Sequence, residues 1–127
     1  MSAKIIRIEK APAPIGPYNQ AVLAGNTLYV SGQIALDPTS GELRQGSVEE
    51  ETELVMANLK AILEEAGSSF SQVVKSTIFL KDMNDFQVVN GIYGSFFTAD
   101  FPARETVQVA ALPKNVRVEI SVIAYLG

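Results

Sequence analysis

The sequence predicts an α+β fold, with six short strands and two helices in the order βββαβαββ forming one sheet that carries both helices on one face. Three observations point to it. Short windows alternate apolar and polar residues with period two, two longer windows repeat apolar residues at helical spacing, and Gly, Pro and Asn clusters separate them. At 127 residues the chain reads as a single domain, 1–127, with one core and no linker or internal repeat.

Lys4 to Ile8 is a short strand, followed by Ala11-Pro-Ala-Pro-Ile-Gly-Pro17, which excludes regular structure. Gly25-Asn26 makes a hairpin of Ala21–Ala24 and Thr27–Ile34. In the second arm Leu28, Val30, Gly32 and Ile34 share one face, and Thr27, Tyr29, Ser31 and Gln33 the other. Ser47 and Glu50 have capping-box spacing, and Val48, Val55, Leu59, Ile62 and Ala66 form the stripe of a helix that Gly67 ends. The acids Glu49, Glu50, Glu51 and Glu53 suit that helix's positive N-terminal end rather than a metal.

Val73 to Leu80 is a strand with Val74, Ile78 and Leu80 inward and Lys75, Thr77 and Phe79 outward. Asn84 or Asp85 caps a second helix reaching about Thr98, with Phe86, Val89, Tyr93, Phe96 and Phe97 as its stripe and Asn90 on the flank. Gly91 and Gly94 weaken this helix and read as points of close packing. Pro102 opens a strand from Ala103 to Ala111. Its Ala103, Val107, Val109 and Ala111 lie on one side, with Glu105 the exception there, and Arg104, Thr106 and Gln108 on the other. Val116 to Tyr125 is the last strand, with Val116, Val118, Ile120, Val122 and Ala124 inward and Arg117, Glu119 and Ser121 outward.

The polar sides of these strands gather Tyr29, Ser31, Gln33, Thr77, Phe79, Arg104, Thr106, Gln108, Glu119 and Ser121 on the face away from the helices. That surface is too apolar for plain solvent and too polar for a core, so it reads as a subunit interface with room for a small ligand.

Composition narrows the chemistry. The net charge is −4 with no cluster of Lys or Arg, which argues against nucleic acid or an anionic membrane as partner. No apolar run is long enough to span a bilayer, and the start of the chain lacks the apolar core of a signal peptide, so a cytoplasmic protein is expected. With no Cys and no His, thiolate nucleophiles, Ser-His-Asp triads and most transition-metal sites are excluded. Neither metal nor cofactor is expected. Arg104 is then the residue to notice, because a rigid fork of donors at the start of a strand suits a planar carboxylate.

Five segments in register resemble one family: Pro14-Ile-Gly-Pro-Tyr18, Ser31-Gly32-Gln33-Ile34, Asn84-Asp85-Phe86 with Asn90, Phe101-Pro-Ala-Arg104, and Ala111-Leu-Pro-Lys followed by Arg117-Val-Glu119-Ile. Together they resemble the RidA (YjgF-type) reactive-intermediate deaminases from Ala11 to Ala124. The resemblance implies a chorismate-mutase-like fold, a homotrimer whose sheets form a central barrel, and sites in clefts between protomers. It also implies cofactor-free hydrolysis of 2-enamino and 2-imino acids, such as 2-aminoacrylate, 2-iminopropanoate and 2-iminobutanoate, to 2-keto acids and ammonia. By position, Arg104 would clamp the carboxylate and Glu119 would hold or activate water, with Tyr18, Ser31, Gly32 and Asn90 lining the cleft. Thr106 stands where family members often carry Cys, so either its backbone serves the chemistry or the substrate range has shifted.

Without that resemblance the same residues have plainer readings. Arg104 would be a structural partner of Glu119 on the same sheet face, Glu119 a solvated edge residue or a partner of Arg117, and Tyr18, Ser31 and Asn90 scaffold. The functional rivals are a non-catalytic trimer that binds keto acids or amino-acid derivatives, and a ribonuclease, which the charge and the missing His disfavour.

Overall fold

The computed structural model describes residues 3–127. Its elements follow the expected order: β1 (Ala3–Ile6), β2 (Ala21–Ala24), β3 (Thr27–Gln33), α1 (Val48–Glu65), β4 (Val73–Leu80), α2 (Phe86–Gly94), β5 (Ala103–Gln108) and β6 (Val118–Tyr125). The strands form one sheet in the order β1-β2-β3-β6-β4-β5, antiparallel except for the parallel pair β4–β5, which α2 connects. Among the described residues no helix is long and apolar enough to cross a membrane.

Both helices lie on one face of the sheet. Val55, Leu59 and Ile62 of α1 and Val89 and Tyr93 of α2 join Leu28, Val30, Ile78, Leu80, Val118, Ile120 and Val122 in one buried cluster. The α1 stripe is the predicted one, since residues at i, i+4 and i+7 meet the same side. Ser47 caps α1 by accepting the Glu50 N–H at 3.1 Å, and Gly67 leaves it at φ +77°. A smaller cluster of Ile34, Leu36 and Val116 continues the core beyond β3.

Several boundaries differ from expectation, each for a local reason. β1 stops at Ile6 because the buried Gln20 side chain takes over the backbone of the next segment. Its Oε1 accepts from Ile8 N–H at 2.7 Å, and its Nε2 donates to the carbonyls of Ile8, Ala11 and Pro12 at 3.0, 3.2 and 2.8 Å. α2 ends at Gly94 rather than near Thr98, because the amides of Phe96 and Phe97 bond three residues back and tighten the turn. The aromatic packing expected of the helix persists all the same, with Phe97 meeting Phe70 and Tyr93 edge to face. The helix start also shifts, since Asp82 caps a short turn at Met83–Asp85 that leads into α2.

Two bulges and one edge strand overturn expected faces. Val30 pairs with Val122 and Gln33 with Ile120, so β3 has one residue more than β6 across this interval. The extra residue turns Gln33 into the core at 5% exposure and puts Gly32 on the opposite side. A second bulge between Val73 and Lys75 puts Val73 inside and leaves Val74 exposed. β5 pairs Arg104 with Ser76 and Thr106 with Ile78, both of which face the helices. Arg104, Thr106 and Gln108 therefore lie on the helix side, and Val107 shares the open face with Phe79. At a sheet edge both faces are largely wet, so polarity could not tell them apart.

Candidate functional site

Glu119 lies in mid-sheet on β6, paired with Phe79 on the face away from the helices. Its side chain enters a cavity of about 340 Å³ lined by Ala13, Ile15, Tyr18, Ser31, Gly32, Ile34, Leu36 and Pro113 among others. The proline-rich segment 12–17 forms one wall, and Gln20 holds that segment through its carbonyls. Gly32 lets the Glu119 carboxylate lie close over β3, because a Cβ on it would stand 2.1 Å from a carboxylate oxygen and displace it. Among the described residues the carboxylate has no ion-pair or hydrogen-bond partner, and Arg117 is engaged elsewhere, by Glu51. Burial pushes the Glu119 pKa up from its ordinary value. The expected structural partnership of Glu119 with Arg104 on one sheet face does not form within one chain.

Ser31 is partly committed to the scaffold. Its hydroxyl donates to the Asn19 carbonyl at 2.6 Å and its N–H to Gln20 O at 2.9 Å, which sets the loop against β3. The hydroxyl oxygen keeps lone pairs for a ligand. Tyr18 is 45% exposed at the rim, and its OH accepts from Ile15 N–H at 3.3 Å.

Arg104 occupies a second hollow of about 320 Å³ with Asn90, Tyr93, Gly94, Phe101 and Pro102. Its guanidinium carbon stands 5.1 Å from the centre of the Tyr93 ring and 5.7 Å from that of Phe86. The Tyr93 hydroxyl donates to Ser76 Oγ at 2.8 Å and ties this ring to β4. Arg104 has no carboxylate partner among the described residues, so π faces orient its fork while its donors stay free. Gly91 and Gly94 do not mark close packing, since a Cβ on either would meet nothing within 4 Å. At Gly94 that empty space belongs to the Arg104 hollow.

The structure thus sorts the expected residues into two groups. Glu119 stands with Tyr18, Ser31 and Gly32, and Arg104 stands with Asn90. Arg104 and Glu119, expected on one face, lie on opposite faces of the sheet with β4 between their strands. Thr106 borders neither cavity, and its Oγ1 is buried without a hydrogen-bond partner. Phe86, Tyr93 and Gly94 were missed as site residues, although Asn90, Tyr93 and Gly94 share the i, i+3, i+4 spacing that places them on one helix face.

A family model described as Endoribonuclease L-PSP matches residues 8–126. The chain belongs to the RidA/YjgF family. It is 53% identical to bovine 2-iminobutanoate/2-iminopropanoate deaminase, covering 98% of this chain and 90% of that protein. The RidA crystal structure from an Antarctic Psychrobacter superposes with a TM-score of 0.92 at 48% identity, covering 96% of this chain and 98% of that one. The structure of E. coli TdcF with bound serine gives a TM-score of 0.93 at 42% identity, covering 98% and 99%.

Proposed function

We propose that this RidA-family chain hydrolyses 2-enamino and 2-imino acids to 2-keto acids and ammonia, in a site completed by two protomers of a homotrimer. One observation carries the reading: an unpartnered, half-buried carboxylate with a raised pKa and an unpaired guanidinium occupy separate hollows of one chain. A small substrate needs both charges at once, so the Arg104 hollow of one copy must close on the Glu119 cavity of another. The open sheet face, with Tyr29 and Val107 exposed, is the surface for that assembly. The bovine relative's name and the serine in TdcF point to small amino-acid-like ligands.

The residues suit the steps. Arg104 takes the substrate carboxylate with two parallel charge-assisted bonds, aided by Asn90, and so fixes the neighbouring C=N carbon. A protonated Glu119, favoured by burial, donates its proton to C3 of an enamine and generates the iminium ion. The resulting carboxylate accepts a proton from water as the oxygen bonds to C2. In the carbinolamine the nitrogen takes up that proton from Glu119, the C2–N bond breaks and ammonia leaves, and the hydroxyl proton passes to the Glu119 carboxylate as the keto group forms, which restores the protonated acid. Imines hydrolyse in water unaided, so positioning and one proton carrier are a sufficient contribution. Thr106 supplies no thiol to these steps, and it borders neither hollow.

The test generates 2-aminoacrylate in situ and follows ammonia and pyruvate. Release accelerated by the protein, unchanged by chelator, supports the reading. Keto-acid binding without turnover would make the protein a binding module instead. The endoribonuclease of the family model's description has little to work with here, since the chain is acidic and has no His.

A further inference from the structure

Glu51 is a carboxylate at 0% exposure that the proposed chemistry does not use. Helix α1 carries it under the start of β6, where Oε1 accepts the Arg117 backbone N–H at 2.9 Å and Oε2 accepts from Arg117 Nη1 at 2.7 Å. The same Nη1 donates to Gln45 O at 3.1 Å, and the Arg117 carbonyl accepts from Lys81 N–H at 3.0 Å. Both backbone groups of residue 117 and its side chain are therefore fixed from three directions. On its open side the guanidinium looks onto a cleft bordered by Lys81, Asp82, Asp85 and Gln108, and neither acid bonds to it.

What this clip holds in place decides its role. Residue 117 joins two parts of the Glu119 cavity: Pro113, a wall residue four positions earlier, and Glu119 itself two positions later. Between Pro113 and Arg117 the chain turns through Lys114 and Asn115 at φ 53° and 57°, a conformation that a side chain such as lysine disfavours. A turn of that kind stays put only when its surroundings over-determine it. An ion pair with a buried carboxylate is a poor source of net stability. Its geometric value is that a carboxylate with both oxygens engaged allows one placement of the strand entry. We propose that Glu51 and Arg117 are positioning residues, a clip built on the buried Glu51 carboxylate between α1 and β6 that sets the Pro113 wall and the Glu119 carboxylate relative to each other. This rests on the reading of Glu119 as the proton carrier.

The experiment replaces both partners, as Glu51→Leu with Arg117→Met. Removing the two charges together avoids a lone buried ion and leaves the net charge near Glu119 unchanged. Melting temperature, kcat, KM and the Glu119 carboxyl titration by ¹³C NMR are read in the wild type and the double variant. Positioning predicts a lowered melting temperature, because the Arg117 N–H loses the acceptor that Glu51 supplied. It also predicts kcat at least about tenfold lower with KM little changed, and a Glu119 midpoint moved toward the ordinary carboxylate value as water gains access. A folded double variant with kcat and midpoint both at wild-type values would overturn the proposal. If the double variant fails to fold, Glu51→Asp decides, because it keeps the charge but cannot reach both Arg117 contacts. A lowered kcat and shifted midpoint support the clip, and an unchanged pair of values overturns it. Absence of wild-type turnover would count against the deaminase reading alone, since the Glu119 titration still reports on the clip.

Discussion

The two hollows differ in how each holds its charged group. Glu119 stands on β6, flanked by β3 and β4, in a walled cavity where burial raises its proton affinity. Arg104 stands on β5, paired only with β4, exposed, and oriented by aromatic faces rather than by counter-charges. The first arrangement shifts a titration by burial, which suits the proton carrier proposed for Glu119. The second keeps a cation's donors vacant, which a salt bridge would have filled. Their separation on opposite faces means that, on the proposed chemistry, the two groups meet one substrate only across two copies.

The sharpest way to break this comparison is Glu119→Gln, which keeps shape but cannot carry a proton. Turnover should fall about 10²-fold or more, the scale of general acid–base catalysis. The same variant should be the more stable protein at neutral pH. Burial lets the folded carboxyl keep its proton to higher pH than the unfolded one does, so Glu119 costs stability progressively as pH rises through that window. Melting curves should then favour Glu119→Gln above the window and coincide with wild type below about pH 4. A near-normal rate would reduce Glu119 to a positioning group.

Arg104→Ala should cost at least about tenfold in affinity, since each charge-assisted bond is worth about 1.5–3 kcal/mol. Arg104→Lys should recover little of it, because an ammonium lacks the fork. Co-refolding Arg104→Ala with Glu119→Gln tests the sharing itself. Random trimers would restore about a quarter of the sites to intact pairs, and activity should exceed that of either parent. Mixed trimers confirmed by mass but no more active than the parents would place the site within one chain.

The smallest effect concerns the aromatic bracket. Phe86→Leu removes one ring from Arg104, and a solvent-exposed cation–π contact is worth about 0.5–1 kcal/mol. KM should rise about two- to fivefold with kcat nearly unchanged, because the ring touches no reacting atom. An equal fall in kcat would mean that the bracket also sets the reaction geometry.

The sequence disclosed the element order, the α1 stripe and the Ser47 cap, because each depends on spacing within one segment. It disclosed faces only where a strand keeps phase. The bulges beside Ser31-Gly32 and at Val74 reset the alternation, and so misplaced Gln33 and Gly32 in one strand and Val74 in the other. Arg104 was legible as an unusual cation, but its face depends on which neighbour β5 pairs with, a fact of tertiary structure. Tyr93 looked like core because it is core, its ring serving the aromatic cluster on one side and the guanidinium on the other. Glu51 was read as one more acid favouring a helix N-terminus, since nothing in its own segment indicates that Arg117 will lie beneath it.

The edge position of β5 also sets a thermodynamic hierarchy. Only Thr106 among its six residues is even half-buried, and a single ladder, to β4, holds the strand. Detaching it exposes little apolar surface, so its opening belongs at the inexpensive end of the native-state spectrum, well below the opening of β6. The proposed carboxylate clamp is thus mounted on the edge of the sheet, which solvent exchange should reach first, and the proposed proton carrier on a central strand that should open at higher cost. Occupancy by a carboxylate, or apposition of a second protomer, should slow amide exchange most along 103–108 and leave 118–125 almost unaltered.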